Sequence, residues 1–243
     1  MSLADLLLTP GHGLLTQSWA PRHQRHGTVN ADGFGVGWYA PGDPLPARYR
    51  RAIPIWADRS FADVARVTSS RAVLAAVRSA TPGMTQEESA AAPYAHGPWL
   101  FSHNGRIEGW PGALEGLAAS LPTARLLALE AQVDSALLWA FVLEQLDAGD
   151  TAGEALTHVV SNVAAASGAR LNFLLTDGTH IAATAAGDTL FWRTGPGSVV
   201  VASEPFDDGP GWHEVPENCL LTATAGRVDV RPIPNLTKEQ VAP

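Results

Sequence analysis

Three short stretches of this chain carry residue types suited to an amino-acid ligand and a polarised carbonyl. Arg78 ends the apolar run Ala72-Val73-Leu74-Ala75-Ala76-Val77 and is followed by Ser79, Ala80 and Thr81. A guanidinium at the end of a buried strand needs an anion, and its planar fork suits a carboxylate. A structural salt bridge meets the same need. His103-Asn104-Gly105 follows Trp99-Leu100-Phe101-Ser102. Asn-Gly after a strand makes a turn. The same pair, a side-chain amide beside a backbone N–H, also makes an oxyanion hole. Asp134-Ser135 stands at an expected helix start, where a carboxylate caps the helix or holds an ammonium group. A fourth stretch, Asn30-Ala31-Asp32-Gly33-Phe34-Gly35-Val36-Gly37-Trp38, sets glycine at alternate positions. That bares one face of a strand, which suits either a close sheet contact or the wall of a site.

The elements that must position these residues can be read from periodicity. Strands are expected at 32–39, 99–103, 189–193, 199–202 and 219–223. The run 72–77 is apolar throughout, as a strand buried on both faces is. Residues 171–176 lead into Asp177-Gly178, a hairpin signal, and 180–184 return antiparallel. Residues 134–146 place Leu138, Phe141, Val142 and Leu146 at helical spacing, with Asp134 or Ser135 as cap and Glu144 and Gln145 off the stripe. Residues 151–165 repeat the pattern with Ala155, Leu156, Val159, Val160 and Val163, and a shorter helix is expected at 60–67. Many strands with a few inserted helices predict an α+β fold of two packed sheets between helical layers.

Composition narrows the function classes. Of 243 residues, 46% are hydrophobic and 16% charged, which favours one large buried core. The formal net charge of −8 carries no footprint for nucleic acid or an anionic membrane. No apolar run has the length of a bilayer span, and Asp5 stands where a signal peptide carries basic residues, so a cytoplasmic address is expected. Cys219 is the single cysteine, which excludes an internal disulfide and a cysteine-based metal cluster. His12, His23 and His26 have no metal-ligand spacing and are expected to be solvated or structural. No cofactor is expected, and the composition sets no oligomeric state.

Taken in order, Asn-Ala-Asp-Gly-Phe-Gly, Arg-Ser-Ala-Thr, His-Asn-Gly and Asp-Ser resemble the class II glutamine amidotransferases of the N-terminal nucleophile hydrolase fold. Val201-Ala202-Ser203-Glu204-Pro205-Phe206-Asp207-Asp208 resembles the subgroup that hydrolyses a γ-glutamyl amide in ergothioneine biosynthesis. The resemblance covers nearly the whole chain and implies one domain over residues 1–243, a four-layer αββα sandwich, and a small-molecule γ-glutamyl substrate. It implies that Arg78 binds the glutamyl α-carboxylate, with Thr81 and His103 lining the same pocket. It further implies that Asp134 binds the α-ammonium and that Asn104 and Gly105 form the oxyanion hole. A glutaminase subunit, a hydrolase of glutathione-like peptides and a non-catalytic γ-glutamyl-binding module are the alternatives. Trp19, Trp38, Trp56, Tyr94 and Trp110 are aromatic enough to enclose a trimethylammonium cation, although core packing is the better account of most of them.

The family's nucleophile is a cysteine at position 2, where this chain has Ser2. Ser2-Leu3-Ala4-Asp5-Leu6-Leu7-Leu8 resembles the segment after the family's first strand, so Ser2 is expected outside the pocket. Cys219 lies in an apolar strand and is expected to be an inert buried thiol. The expectation is therefore a sandwich without its first strand, its reading frame starting one strand late, and a chain without appreciable amidase activity as it stands.

Overall fold

The computed structural model describes residues 1–81, 83–234 and 236. Seven helices and twelve strands follow in chain order among them: α1 Leu3–Leu7, α2 Leu14–Gln17, β1 Gly33–Tyr39, β2 Pro46–Arg51, α3 Arg59–Val67, β3 Val73–Arg78, β4 Tyr94–His96, β5 Trp99–Ile107, α4 Glu115–Ala118 and α5 Thr123–Leu127. The second half supplies α6 Asp134–Asp147, α7 Ala152–Ala166, β6 Ala169–Thr176, β7 Ile181–Ala185, β8 Phe191–Gly195, β9 Ser198–Ala202, β10 His213–Glu214, β11 Cys219–Thr224 and β12 Arg227–Pro232.

One sheet is six-stranded, in the order β12-β11-β7-β6-β5-β4, and every pairing in it is antiparallel. Helices α6 and α7 cover one of its faces. Their Leu138, Val142, Leu156 and Val160 share a core with Phe101, Ile107 and Phe173 of the sheet. Two three-stranded sheets, β2-β1-β3 and β10-β8-β9, make the next layer, with β3 against β5 and β9 against β11. Outside β1 and β3 lie α1 and α3, whose Leu3, Leu7, Phe61 and Ala65 pack on Phe34 and Val36. The result is an αββα sandwich. No described helix is long and apolar enough to cross a membrane.

Alternation in β1 explains its glycines. Phe34 and Val36 point into the outer core. Gly35 and Gly37 face the six-stranded sheet, where a Cβ on Gly37 would lie 2.6 Å from a Leu100 methyl and one on Gly35 would strike the Ala92 carbonyl. These bare positions are sheet contacts; neither glycine belongs to the walls of the cavities described below.

Three local expectations are corrected. The strand at 99–103 continues to Ile107, because Asn104 pairs in register with Asn172 and Gly105 with Leu171, so Asn-Gly is strand and not turn. Helix α6 is not amphipathic over its first ten residues: nine of these are buried, between the sheet and α7. Its N-cap is Val133, with no side-chain cap, so neither Asp134 nor Ser135 caps it. Helix α7 does carry a capping box, Thr151 with Glu154, and buries the five apolar residues expected of it.

Candidate active site

Strand β3 pairs with β1 and β9 with β8, and the other edges of β3 and β9 border a common cavity of about 450 Å³. Its walls include Val73–Val77 on one side, Val200–Glu204 on the other, and Ser102–Arg106 with Asn172 from the six-stranded sheet. A smaller cavity of about 70 Å³ adjoins it at the end of β3. Arg78, Thr81, His103, Asn104, Gly105 and Asp134 all line this smaller space, and Thr81, His103, Asn104 and Gly105 line both. The six residues come from β3, the loop after it, β5 and the first turn of α6, so the sheet stacking brings them together.

Each is held by identifiable contacts. Arg78 sits opposite Gly33 in the β1–β3 register. One guanidinium nitrogen, Nη2, donates to the Thr85 carbonyl at 3.0 Å, whereas Nη1 is buried without any partner. No carboxylate lies within salt-bridge distance of it among the described residues, so the salt-bridge explanation for Arg78 does not hold. Asp32 braces the following loop: its N–H donates to the Arg78 carbonyl and its carboxylate accepts the Ala80 N–H at 2.8 Å.

Asp134 is buried, with 5% exposure, and its Oδ1 accepts the Ser135 N–H at 2.8 Å. The Ser135 hydroxyl lies 3.0 Å from His103 Nδ1, and His103 Nε2 lies 3.0 Å from the Arg170 carbonyl. A carbonyl only accepts, so Nε2 carries the proton. Burial pushes the imidazole below its ordinary pKa, outweighing the upward pull of the Asp134 charge. A neutral ring then accepts the Ser135 hydroxyl at Nδ1. Both nitrogens are thereby used, and the ring braces Asp134 through Ser135.

Asn104 shares a strand face with Leu100 and Ser102, the face toward the second layer. Gly105 has φ +152°, and a Cβ there would collide with the Arg170 carbonyl and lie 2.7 Å from His103 Nε2. Only glycine fits. Together the groups offer a cation and an anion in the lining of one small space, and an amide beside a glycine N–H in the wall shared with the larger one.

A family model described as class II glutamine amidotransferases matches residues 14–196. The chain belongs to that family. It is 44% identical to the γ-glutamyl-hercynylcysteine sulfoxide hydrolase of Mycolicibacterium smegmatis over 96% of this chain and 95% of that protein. The protein of the same name from Mycobacterium tuberculosis is 43% identical over 92% of this chain and 88% of its own length. Among solved structures, a class II domain protein from Silicibacter pomeroyi superposes with a TM-score of 0.65 at 25% identity, over 83% of this chain and 91% of that one.

Within this member of the family, Ser2 belongs to neither cavity. Its hydroxyl accepts the Asp5 N–H as the cap of α1, and its backbone bridges to Ser69. Cys219 is buried in β11 outside both cavities, and burial pushes its thiol up. The aromatic enclosure is not formed. Trp19 and Trp56 meet edge to face and are 45% and 41% exposed, Trp38 joins the outer core, Trp110 packs against the main core, and of the five Tyr94 alone lines the smaller cavity. Two residues escaped the sequence reading: Glu204, buried in the wall of the larger cavity, and Glu130, which clamps the approach to Asp134. Glu204 was visible only as part of the tail motif, with no chemistry attached.

Proposed function

We propose that this site hydrolyses a γ-glutamyl amide, and that its substrate is γ-glutamyl-hercynylcysteine sulfoxide, the compound for which the two mycobacterial relatives are named, as a step of ergothioneine biosynthesis. The observation that carries the reading is the pairing of an unpartnered buried Arg78 nitrogen with the buried Asp134 carboxylate around one small cavity. An α-amino acid head group has the matching charges. Arg78 takes its carboxylate, Asp134 its ammonium, and Thr81 closes the side of the space. His103 positions Asp134 through Ser135, whose hydroxyl donates to the ring and whose backbone N–H donates to the Asp134 carboxylate.

So held, the γ-carbonyl reaches the wall shared by both cavities, where the Asn104 amide and the Gly105 N–H receive the developing oxyanion. A thiolate on an extended segment laid between β3 and β9 attacks the carbonyl. The tetrahedral intermediate expels the amine, which takes up a proton, and water then cleaves the thioester to release glutamate. Among the described residues no cysteine lines either cavity.

The test compares glutamate release from γ-glutamyl-hercynylcysteine sulfoxide by this chain and by the chain extended N-terminally with a strand beginning Met-Cys-Arg. Turnover by the extended protein, with little from the shorter one, is expected. In the extended protein Arg78→Ala should raise KM, while Asn104→Ala should lower kcat by a factor on the order of 100. Comparable release by the unextended chain, or an Arg78→Ala variant with unchanged KM, would overturn the reading.

A further inference from the structure

Two side-chain atoms of the described residues are buried with no hydrogen-bond partner: Arg78 Nη1 and Glu204 Oε1. The first belongs to the glutamyl pocket. Glu204, 3% exposed, lies in the wall of the larger cavity just past β9. Its Oε2 accepts the backbone N–H groups of Arg22 at 2.8 Å and His23 at 2.7 Å, which accounts for one oxygen and leaves the other. The neighbouring cations are committed elsewhere, the Arg22 guanidinium to Asp208 and the Pro205 carbonyl, Arg170 to Asp188. A buried carboxylate oxygen without a donor is costly, and a donor that carries charge recovers the most.

The place of Glu204 in the layer decides what reaches it once a strand fills the gap. The Thr189 hydroxyl donates to the Ser203 carbonyl, the Asn172 amide donates to the Thr189 carbonyl, and Asn172 pairs in register with Asn104. Glu204 therefore stands at the same end of the gap as Asn104, the end at which β3 also finishes with Arg78. A strand whose leading end lies over Asn104 starts where β3 and β9 stop, and runs antiparallel to both. Alternation then assigns its faces. Val199 and Val201 of β9 point inward, to the core that Leu221 and Ala223 of the six-stranded sheet share. Phe191 and its register partner Ala202 face outward, where the His23 ring meets Phe191 and Glu204 holds the loop that carries it. A leading cysteine turned inward to the oxyanion donors puts the residue after it on the outward side, with Glu204.

We propose that Glu204 Oε1 anchors a cationic side chain on the strand that fills the gap, at the position after the cysteine, the arginine of Met-Cys-Arg. This deepens the γ-glutamyl reading and rests on it, since the thiolate of that reading is carried by the same strand. The ion pair locks the leading end of the strand beside β9 and so sets the thiolate in front of the carbonyl. Glu204 is thus a positioning residue, which acts through the strand and touches no substrate. It gives the strand a sequence requirement that the glutamyl pocket does not impose, a cysteine turned inward followed by a cation turned outward.

Glu204→Gln tests this, because the amide keeps an oxygen for the Arg22 and His23 N–H groups and removes only the charge. Thermal denaturation compares the substitution in the unextended chain and in the protein extended with the strand beginning Met-Cys-Arg. In the unextended chain it should leave the melting temperature unchanged or raise it, since no cation meets the carboxylate. In the extended protein it should lower the melting temperature by about 4 °C or more, as loss of one charge-assisted pair does in a chain of this size. There it should also lower kcat for a γ-glutamyl amide about tenfold with KM near that of the extended parent, because the glutamyl pocket is untouched. Exchanging the arginine of the strand for methionine should reproduce both losses and make Glu204→Gln neutral. A destabilisation that is equal with and without the strand, or that persists beside methionine, would overturn the proposal, while turnover by the extended parent would leave the γ-glutamyl reading standing. An extended parent that neither melts higher than the unextended chain nor releases glutamate would sink both.

Discussion

At the scale of single residues, the site includes one group whose protonation the fold biases in advance. It is His103, whose ring is held between the Arg170 carbonyl and the Ser135 hydroxyl, where a neutral imidazole satisfies both. Its pKa in the fold lies below the ordinary 6.5, chiefly through burial, with Asp134 and Asp188 pulling upward and Arg170 downward. Between the folded and unfolded values the unfolded chain binds the extra proton, so stability rises with pH there. The contribution is complete above about 6.5 and is lost as the pH falls below it. One proton limits that slope to about 1.4 kcal/mol per pH unit. Unfolding free energies measured by denaturant titration between pH 7.5 and 5 should therefore fall more steeply for the wild type than for His103→Asn, although the variant starts lower. Parallel curves would show that the imidazole is not kept neutral by its surroundings.

At the scale of elements, the sequence was informative where a pattern had one physical cause and misleading where it had two. The apolar run 72–77 and the hairpin at Asp177-Gly178 appear as β3 and the β6–β7 turn within a residue or two, since strand propensity and turn chemistry are local. But β3 is an edge strand in which Leu74 alone is buried, so the expected burial on both faces is not met. Asn104-Gly105 has turn chemistry too, but pairing with Asn172 and Leu171 prevails and keeps it in the strand. Asp134 looks like a cap, yet its carboxylate is buried beside the small cavity while Val133 takes the cap position. Strand β2 carries Arg48, Arg50 and Arg51 and was not anticipated, because its arginines find partners far away in sequence. Arg48 and Arg50 both bind Glu130, at 3.0 and 2.7 Å, and also reach carbonyls of the 89–93 loop that leads to Tyr94. This clamp sets the segment that delivers Asp134. Glu130→Ala leaves two part-buried guanidinium groups without their carboxylate and should cost about 1–3 kcal/mol in stability. It should also weaken binding of a γ-glutamyl amide severalfold. Calorimetry alongside thermal denaturation separates the two effects, and unchanged affinity in the destabilised variant would free Asp134 from any dependence on the clamp.

At the scale of the whole molecule, the second layer is two half-sheets and not one. The order β2-β1-β3 stops at an apolar edge, β9-β8-β10 begins at another, and the space between them is the larger cavity. Both edges present backbone groups that a neighbouring strand would pair, and open edges of this kind are normally covered or blunted. The residues along them, Val73–Val77 and Val199–Ala202, carry no charge, proline or bulge that would discourage pairing. A strand laid between them would make the layer continuous from β2 to β10. It would also place one of its ends over Asn104 and Gly105, in the wall where the two cavities meet. The geometry of the layer thus leaves room for what the proposed chemistry uses, an extended segment that ends at the carbonyl. Hydrogen exchange followed by mass spectrometry reads this directly. In the unextended chain, the outward amides of β3 and β9 should exchange fast relative to those of β6, which is paired on both sides. Adding the strand that begins Met-Cys-Arg should slow exchange in peptides covering 73–77 and 198–202 and raise the melting temperature, with little change across β11 and β12. Unaltered exchange at both edges in a protein that has gained amidase activity would mean that the thiol reaches the carbonyl by another path, and that the two half-sheets remain separate in the working enzyme.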